Sequence, residues 1–114
     1  MNSQVSSLVI VSLAASVPGP VHNLKFTQNT HSLRLNWDKP RNAEMSVTAY
    51  DIRFKQSRIL VGDDYSKMTV NASTTSVLLT EASGYQPLKM YDLEVRARND
   101  GHKGKWSKVI STGT

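Results

Sequence analysis

The side chains able to carry out chemistry are few and lie far apart in this chain of 114 residues. Its three histidines, His22, His31 and His102, do not stand at metal-ligand or catalytic spacing from one another. Gly-x-Ser-x-Gly, His-Glu-x-x-His, Walker and Gly-x-Gly-x-x-Gly patterns are absent. Asp63 and Asp64 form a lone acidic pair without the further oxygen ligands that calcium needs. We therefore expect no enzymatic activity, no cofactor and no metal site.

One motif for covalent modification is present. Asn71, Ala72 and Ser73 form an Asn-x-Ser sequon, the acceptor of N-linked glycan, in a segment that we predict to be a loop. A sequon of three residues also arises by chance, so it is a weak signal alone. Combined with the predicted fold, it favours a secreted protein.

The composition limits the fold that positions these residues. With 14 Lys and Arg against 9 Asp and Glu the chain has a formal charge of +5, and 39% of its residues are hydrophobic. This length fits one small domain. Because the chain has no cysteine, disulfide frameworks, cysteine zinc sites and thiol catalysis are excluded. An apolar core must therefore supply the stability.

Residues 1–16 carry no charged side chain and allow two interpretations. The apolar stretch 8–15 resembles the core of a secretory signal, although no Lys or Arg precedes it. Alternatively, residues 5–11 resemble the chain's own end and form the last strand of a preceding repeat. The stretch 8–15 is shorter than the about 20 residues of a membrane-spanning helix, so we expect no membrane insertion by this segment. We place the domain at residues 17–114.

The remaining sequence alternates apolar and polar residues with the period of a β-strand. The alternation is clearest in three predicted core strands at 33–37, 50–54 and 91–97, and weaker strands are predicted at 21–27, 65–70, 75–79 and 107–111. Turn residues separate these runs, and no amphipathic helix is predicted. Seven short strands predict an all-β fold, a seven-stranded immunoglobulin-like Greek-key sandwich.

Two groups of residues resemble the pattern of a fibronectin type III domain over about residues 17–114. The first group comprises Pro20, Leu24, Leu33, Leu35, Trp37, Pro40, Tyr50 and Ile52. The second is similar to the family's run Leu-x-Pro-x-x-x-Tyr-x-x-x-Val-x-Ala-x-Asn, and its members here are Tyr85, Pro87, Tyr91, Val95, Ala97 and Asn99. This chain departs from the pattern at Tyr85, where the family usually has Leu, and in the extra stretch 81–84 before it.

The resemblance implies structural roles for several residues. Trp37 fills the space between the sheets, and Tyr91 is the tyrosine of a tyrosine corner, with its hydroxyl bonded to upstream backbone. Trp106, followed by Ser107, is similar to the start of the Trp-Ser-x-Trp-Ser signature of class I cytokine receptors, in which tryptophans stack between arginines. Arg96 and Arg98 have the parity to flank Trp106. The second tryptophan of the signature is missing here.

Loops at 38–46, 71–74 and 99–105 cluster at one end of such a sandwich, where binding residues concentrate. The candidate binding loop consists of Asn99, Asp100, Gly101, His102, Lys103, Gly104 and Lys105. With this loop, a candidate basic face formed by Arg53, Lys55, Arg96 and Arg98 could attract an acidic polysaccharide, an acidic protein face or anionic lipid. A solvated surface is the alternative, because Asp51, Asp92 and Glu94 interleave with these cations. The face lacks the aromatic residues that single-stranded nucleic acid needs.

The resemblance implies a non-catalytic module that binds protein partners or neighbouring repeats and acts as a spacer. Its setting would be the extracellular part of a cell-surface protein such as an adhesion molecule, a receptor tyrosine phosphatase or a receptor kinase. The isolated segment would be monomeric. An intracellular, cytoplasmic repeat of the muscle-filament type and a cytokine-receptor-like ligand-binding domain are the alternatives.

Overall fold

The computed structural model describes residues 17–41, 47–57, 65–99 and 101–112. These residues form seven strands and one 3-10 turn, which are β1 (His22–Gln28), β2 (Leu33–Asp38), β3 (Ala49–Gln56), β4 (Ser66–Asn71), β5 (Ser76–Leu79), the turn Glu81–Ser83, β6 (Tyr91–Arg98) and β7 (Ile110–Ser111). Two antiparallel sheets result, in the orders β1-β2-β5 and β4-β3-β6-β7. The predicted all-β sandwich is confirmed. Residues 1–16, Asp63, Asp64 and Asp100 lie outside the described residues.

Alternating side chains of both sheets form one core. In β2 the residues Leu33, Leu35 and Trp37 are buried while Arg34 is exposed, which is the pattern of a strand with one wet face. From the second sheet, β3 and β6 contribute most of the facing apolar side chains. The buried hydrophobic residues are Val21, Leu33, Leu35, Trp37, Tyr50, Ile52, Phe54, Val77, Leu79, Tyr85, Tyr91, Leu93, Val95 and Ala97.

The last strand is shorter than the sequence predicts, because the chain does not stay in register with β6. Lys103 lies opposite Arg98, and Ile110 lies opposite Leu93. Seven residue steps on one side therefore match five on the other, and the two extra residues bulge out of the ladder. This irregular segment carries Trp106.

A pair of stacked tyrosines closes the end of the sandwich at which β6 begins. The Tyr91 hydroxyl accepts a hydrogen bond from the Gln86 N–H at 2.8 Å, which is the geometry of a tyrosine corner. Tyr85 is 1% exposed, and its ring centroid lies 5.2 Å from that of Tyr91. Its hydroxyl accepts a hydrogen bond from the Gln28 side chain at 2.8 Å. Tyr85 thus fills the place of a leucine and also ties β1 to the second sheet.

The two ends of the described domain lie at opposite poles of the sandwich. At the N-terminal pole, Gly104 approaches Pro18 so closely that a Cβ at Gly104 would lie 2.6 Å from the Pro18 carbonyl oxygen. At the C-terminal pole, the Thr112 N–H donates to the Tyr91 carbonyl at 2.9 Å. A shallow groove at this pole is lined by Asn29 and Thr112 together with Tyr85. The chain therefore enters at one pole and leaves at the other.

Two polar groups are buried in the core without a hydrogen-bond partner. The Tyr50 and Trp37 rings meet edge to face with centroids 5.3 Å apart, and neither the Tyr50 hydroxyl nor the Trp37 indole N–H is satisfied by the described residues. Burial raises the pKa of the Tyr50 hydroxyl. The nearby indole of Trp37 offsets part of that pKa shift without reaching hydrogen-bond geometry.

Replacing Tyr50 by phenylalanine should therefore not destabilise the domain, although Tyr50 is in the centre of the core. Since an unsatisfied buried hydroxyl is unfavourable, we expect Tyr50→Phe to leave the free energy of unfolding unchanged or to raise it by up to about 1 kcal/mol at pH 7. Urea unfolding followed by tryptophan fluorescence measures this change. A loss of more than about 1 kcal/mol would mean that the hydroxyl is hydrogen-bonded.

The same variant has a distinctive pH dependence. Because burial raises the folded-state pKa of Tyr50, the unfolded chain ionises first above the ordinary tyrosine pKa of about 10. The stability difference is thus constant below pH 10, and wild type loses stability relative to Tyr50→Phe as the pH rises toward the folded-state pKa. Identical alkaline unfolding curves would contradict the burial of an un-ionised hydroxyl.

Candidate functional site

The outer face of the four-stranded sheet carries charges of both signs in a fixed pattern. The register of β3 and β6 sets Asp51 opposite Arg96, and Arg53 opposite Glu94. Both cross-strand pairs are closed, at 2.9 Å between Arg96 Nε and Asp51 Oδ2 and at 3.0 Å between Arg53 Nε and Glu94 Oε1. The arginine side chains cover both carboxylates, and each acidic residue is only 8% exposed. Buried charges of this kind require such partners.

The candidate basic face is therefore largely neutralised where Arg53 lies. Lys55 extends beyond the paired charges, and its Nζ lies 4.9 Å from the centroid of the Tyr65 ring. Asp92 accepts hydrogen bonds from Ser57 and Ser111, at 2.7 and 2.6 Å. The acidic residues that alternate with the cations in the sequence thus contact arginine or serine side chains in the structure. This arrangement favours a solvated face over a continuous positive surface.

A row of stacked cations and aromatic rings runs across this face, and we call it the cation–π row. It consists of Arg96, Trp106, Arg53, Tyr65 and Lys55 in that order. The guanidinium carbons of Arg96 and Arg53 lie 4.3 and 4.1 Å from the Trp106 ring centroid, and that of Arg53 lies 4.4 Å from the Tyr65 centroid. The row has members on β3 and β6, and it joins the segment around Trp106 to Tyr65, the residue just before β4.

The prediction that Arg98 flanks Trp106 is wrong in this structure. Arg98 instead lies 3.4 Å from Asp51 Oδ1 through its Nε, and Arg53 stacks on Trp106. The reason is the bulge before β7, because Ser107, the neighbour of Trp106, bonds to Val95, whereas Arg98 lies opposite Lys103 nearer the N-terminal pole. The alternation along β6 correctly predicted that Arg98 and Trp106 lie on the same face of the sheet. It did not predict how far apart they lie along the strand direction.

Ser107 fixes the position of its neighbour Trp106. The Ser107 N–H donates to the Val95 carbonyl at 2.8 Å, and the Val95 N–H donates to the Ser107 hydroxyl at 3.0 Å. A side-chain oxygen thus replaces the backbone carbonyl that a regular strand would supply. A serine directly after Trp106 therefore anchors the bulge to β6 and holds the tryptophan in position.

Tyr65 is the member of the row that sequence reasoning missed. Together with Trp106 it places two aromatic rings on this face, so the expectation that the face lacks aromatic residues is wrong. Its position just before β4 gives no strong strand signal. Lys67, two residues later, lies opposite Arg53 on the outer face, and Tyr65 has the same parity. Pairing of the strands was needed to recognise it.

The candidate binding loop forms a closed turn in its described residues. The Asn99 N–H donates to the His102 carbonyl at 2.9 Å, and Asn99 Oδ1 accepts from the N–H groups of Gly101 and His102 at 3.3 and 3.0 Å. Gly101, His102, Lys103 and Lys105 are exposed, whereas Gly104 is buried against Pro18. Asp100 lies outside the described residues. The loop thus presents two lysines and one histidine at the N-terminal pole.

The candidate glycosylation site is exposed at the same pole. Asn71 ends β4, and its Oδ1 accepts hydrogen bonds from the Ser73 N–H, the Ser73 hydroxyl and the Thr74 hydroxyl, at 3.1, 2.6 and 3.1 Å. These bonds fix the sequon as an Asx turn. These bonds engage the side-chain oxygen, and Asn71 itself is an exposed residue.

The remaining chemical candidates do not converge. His31 and Glu81 are exposed and 3.9 Å apart, whereas His102 lies in the candidate binding loop. The described part of the chain contains no group of three or more His, Cys, Asp or Glu side chains that could hold a metal ion. Within those same residues, no helix has the length and apolar character to cross a membrane.

Comparison with known proteins agrees with this architecture. The family model described as "Fibronectin type III domain" matches residues 19–113. Among solved structures, the FN5 domain of Drosophila Lar is 25% identical, with a TM-score of 0.68 over 86% of this chain and 97% of that domain. The FN1-FN3 domains of chicken CNTN1 match at 18% identity and a TM-score of 0.67, over 81% of this chain and 29% of that one. Comparison with curated protein sequences found no match.

The cation–π row makes a prediction about Trp106. Since Trp106 stacks with two guanidinium groups, Trp106→Ala should lower the free energy of unfolding by about 1–2 kcal/mol with the strand content retained. A double-mutant cycle then identifies its partners. We expect a coupling of about 0.5–1 kcal/mol between Trp106→Ala and Arg53→Ala, and none between Trp106→Ala and Arg98→Ala.

Urea unfolding of the four variants in each cycle measures these couplings. Arg98 serves as the matched control, because it is an arginine on the same face that pairs with Asp51 and not with the ring. Coupling to Arg98 in place of Arg53 would restore the arrangement that strand parity predicts and would contradict the observed row.

Proposed function

Because the chain belongs to the fibronectin type III family, we propose that it is a non-catalytic binding and spacing module from the extracellular part of a multidomain adhesion or receptor protein. Domains of this family are reused in many settings, so the fold alone does not determine the function. The placement of the chain ends, the relatives and the sequon each support a part of this proposal.

The observation that carries the spacing role is the entry of the chain at one pole and its departure at the other. Pro18 packs against Gly104 at the N-terminal pole, and Thr112 bonds to Tyr91 at the C-terminal pole. A domain with this geometry adds its long dimension to the reach of the chain. Modules arranged in this way set the distance between binding sites and so the strength of multivalent attachment.

The similar solved structures support a role within a multidomain protein. One is the fifth such domain of Drosophila Lar, and the other contains three consecutive domains of chicken CNTN1, of which this chain spans 29%. The similarity to chicken CNTN1, at 18% identity, shows the fold alone. A spacing role would fit both arrangements.

The extracellular setting rests on Asn71. The sequon lies in an Asx turn whose residue Asn71 is exposed, and its side-chain oxygen accepts the hydrogen bonds of the turn. N-linked glycan is added to secreted proteins, so glycosylation of Asn71 distinguishes the two settings.

The spacing role predicts a long and narrowly distributed distance between the ends of the domain. The chain has no cysteine, so Val17→Cys with Ser111→Cys places two spin labels without background. We expect a separation above about 26 Å, the length of an eight-residue strand. Double electron–electron resonance on the full chain measures it.

Labels at Val17→Cys and Lys103→Cys are the control, because both positions belong to the N-terminal pole and should lie much closer together. If the Val17–Ser111 pair were as close as the control pair, the two ends would share a pole. The domain would then act as a side branch and not as a spacer.

The extracellular setting predicts a glycan on Asn71. We expect the full chain, secreted from eukaryotic cells behind a heterologous signal sequence, to gain glycan mass that Ser73→Ala lacks and that enzymatic deglycosylation removes. Thr74→Ala is the matched control, because it deletes another hydroxyl bonded to Asn71 while keeping the sequon. Secretion of unglycosylated wild type would contradict the proposed use of Asn71 and favour the intracellular alternative.

A further inference from the structure

A small basic pocket lies on the outer face between β4 and the turn that follows β6. Its charged lining consists of Asp51, Lys67, Arg96, Arg98 and Lys103. Four cationic side chains thus surround one carboxylate in a recess of about 220 Å³. Next to the recess the charges are balanced, because Arg53 pairs with Glu94.

Both carboxylate oxygens of Asp51 contact neighbouring side chains and hold them in position. Its Oδ1 accepts from the Thr69 hydroxyl at 2.9 Å and lies 3.4 Å from Arg98 Nε, while its Oδ2 accepts from Arg96 Nε at 2.9 Å. Both arginines therefore meet Asp51 through Nε. The terminal nitrogens of both guanidinium groups have no hydrogen-bond partner among the described residues.

This arrangement makes the two arginines a prepared receptor for a planar anion. A guanidinium group recognises a carboxylate through two parallel N–H donors, and its fork must be held in place for the bonds to form at low entropic cost. Asp51 holds Arg96 and Arg98 through their Nε atoms. Trp106 stacks on Arg96 and lines the recess, so the guanidinium plane of Arg96 is fixed as well.

The two lysines complete the pocket. Lys67 and Lys103 are exposed, and neither forms an ion pair in the part of the chain that the structure describes. They lie on different elements, β4 and the turn after β6, and both line the recess. Their ammonium groups add charge without the geometric restriction of the arginine forks.

We propose that this pocket binds an acidic side chain, Asp or Glu, presented by a short segment of a protein partner. The inference rests on the proposed binding role and specifies it, because it assigns a recognition site and the chemistry of its ligand. The bound carboxylate would accept hydrogen bonds from the terminal nitrogens of Arg96 and Arg98, with Lys67 and Lys103 beside it. The positive charge that Asp51 leaves uncompensated is the driving force.

The distribution of charge favours an acidic peptide over a sulfated polysaccharide. A polyanion needs a line of unpaired cations along its length, whereas here Arg53, which separates the recess from Lys55, is neutralised by Glu94. The Trp106 ring already stacks with the guanidinium groups of Arg53 and Arg96, which compete with a sugar for it. A single carboxylate, inserted end-on, fits these constraints.

The test is a titration of the isotope-labelled full chain with an acetylated and amidated tetraglutamate peptide at low salt, followed by NMR. We expect saturable shifts at the amides of Asp51, Thr69, Arg98 and Lys103. Lys67→Ala with Lys103→Ala should weaken binding about tenfold. Arg98→Lys keeps the charge but removes the fork, and it should also weaken binding severalfold.

Lys25→Ala with Lys89→Ala is the matched control, because it removes the same net charge from exposed positions outside the pocket. We expect it to change the affinity by less than about twofold. Equal weakening by both pairs, or no saturable binding, would overturn the proposal. Tighter binding of a sulfated heparin tetrasaccharide than of the peptide would also overturn it and would assign the pocket to sulfate groups.

These outcomes are independent of the spacing role. A pocket that fails to bind tetraglutamate leaves the label distance between the two poles unchanged. A short distance between the poles would contradict the spacer function whether or not the pocket binds.

Discussion

The antiparallel register of β3 and β6 is the constraint on which both faces of the larger sheet depend. On the inner face it aligns Tyr50, Ile52 and Phe54 with Ala97, Val95 and Leu93, and all six belong to the hydrophobic core. On the outer face the same register sets Asp51 opposite Arg96, and Arg53 opposite Glu94. A slip by one residue would turn charges into the core and apolar residues into water. The hydrophobic core therefore also fixes the charge pattern outside it.

That charge pattern explains why a chain with a formal charge of +5 does not present a uniformly basic sheet. Three arginines pair with the two buried carboxylates, and the Trp106 and Tyr65 rings stack on the guanidinium groups of two of them. Arginine suits this position because it pairs through its edge and stacks through its plane at the same time. The residual charge gathers where Arg98, Lys67 and Lys103 meet, and this concentration gives the face one distinct recess.

The two poles of the sandwich hold the chain ends, whereas the outer face of the larger sheet carries the charged residues. At the C-terminal pole, Tyr85 and Tyr91 close the core and anchor the departing chain. At the N-terminal pole, the absence of a side chain at Gly104 allows the incoming chain to lie against the turn. The exposed sequon and the lysines of that turn share this pole. The surfaces near the two chain ends are thus separate from the outer face of the larger sheet.

The sequence by itself determined the fold class, the core strands and the positions of Trp37 and Tyr91, because alternation along a strand and short motifs are local properties. It also placed Arg96 and Trp106 on one face. Only the tertiary structure decided that Arg53 and Tyr65 complete the row while Arg98 turns to Asp51. The physical reason is that each of these contacts joins different strands, and their alignment depends on the bulge before β7 and on pairing with β4. Such offsets arise from the packing of the whole sandwich, and no single segment of the sequence encodes them.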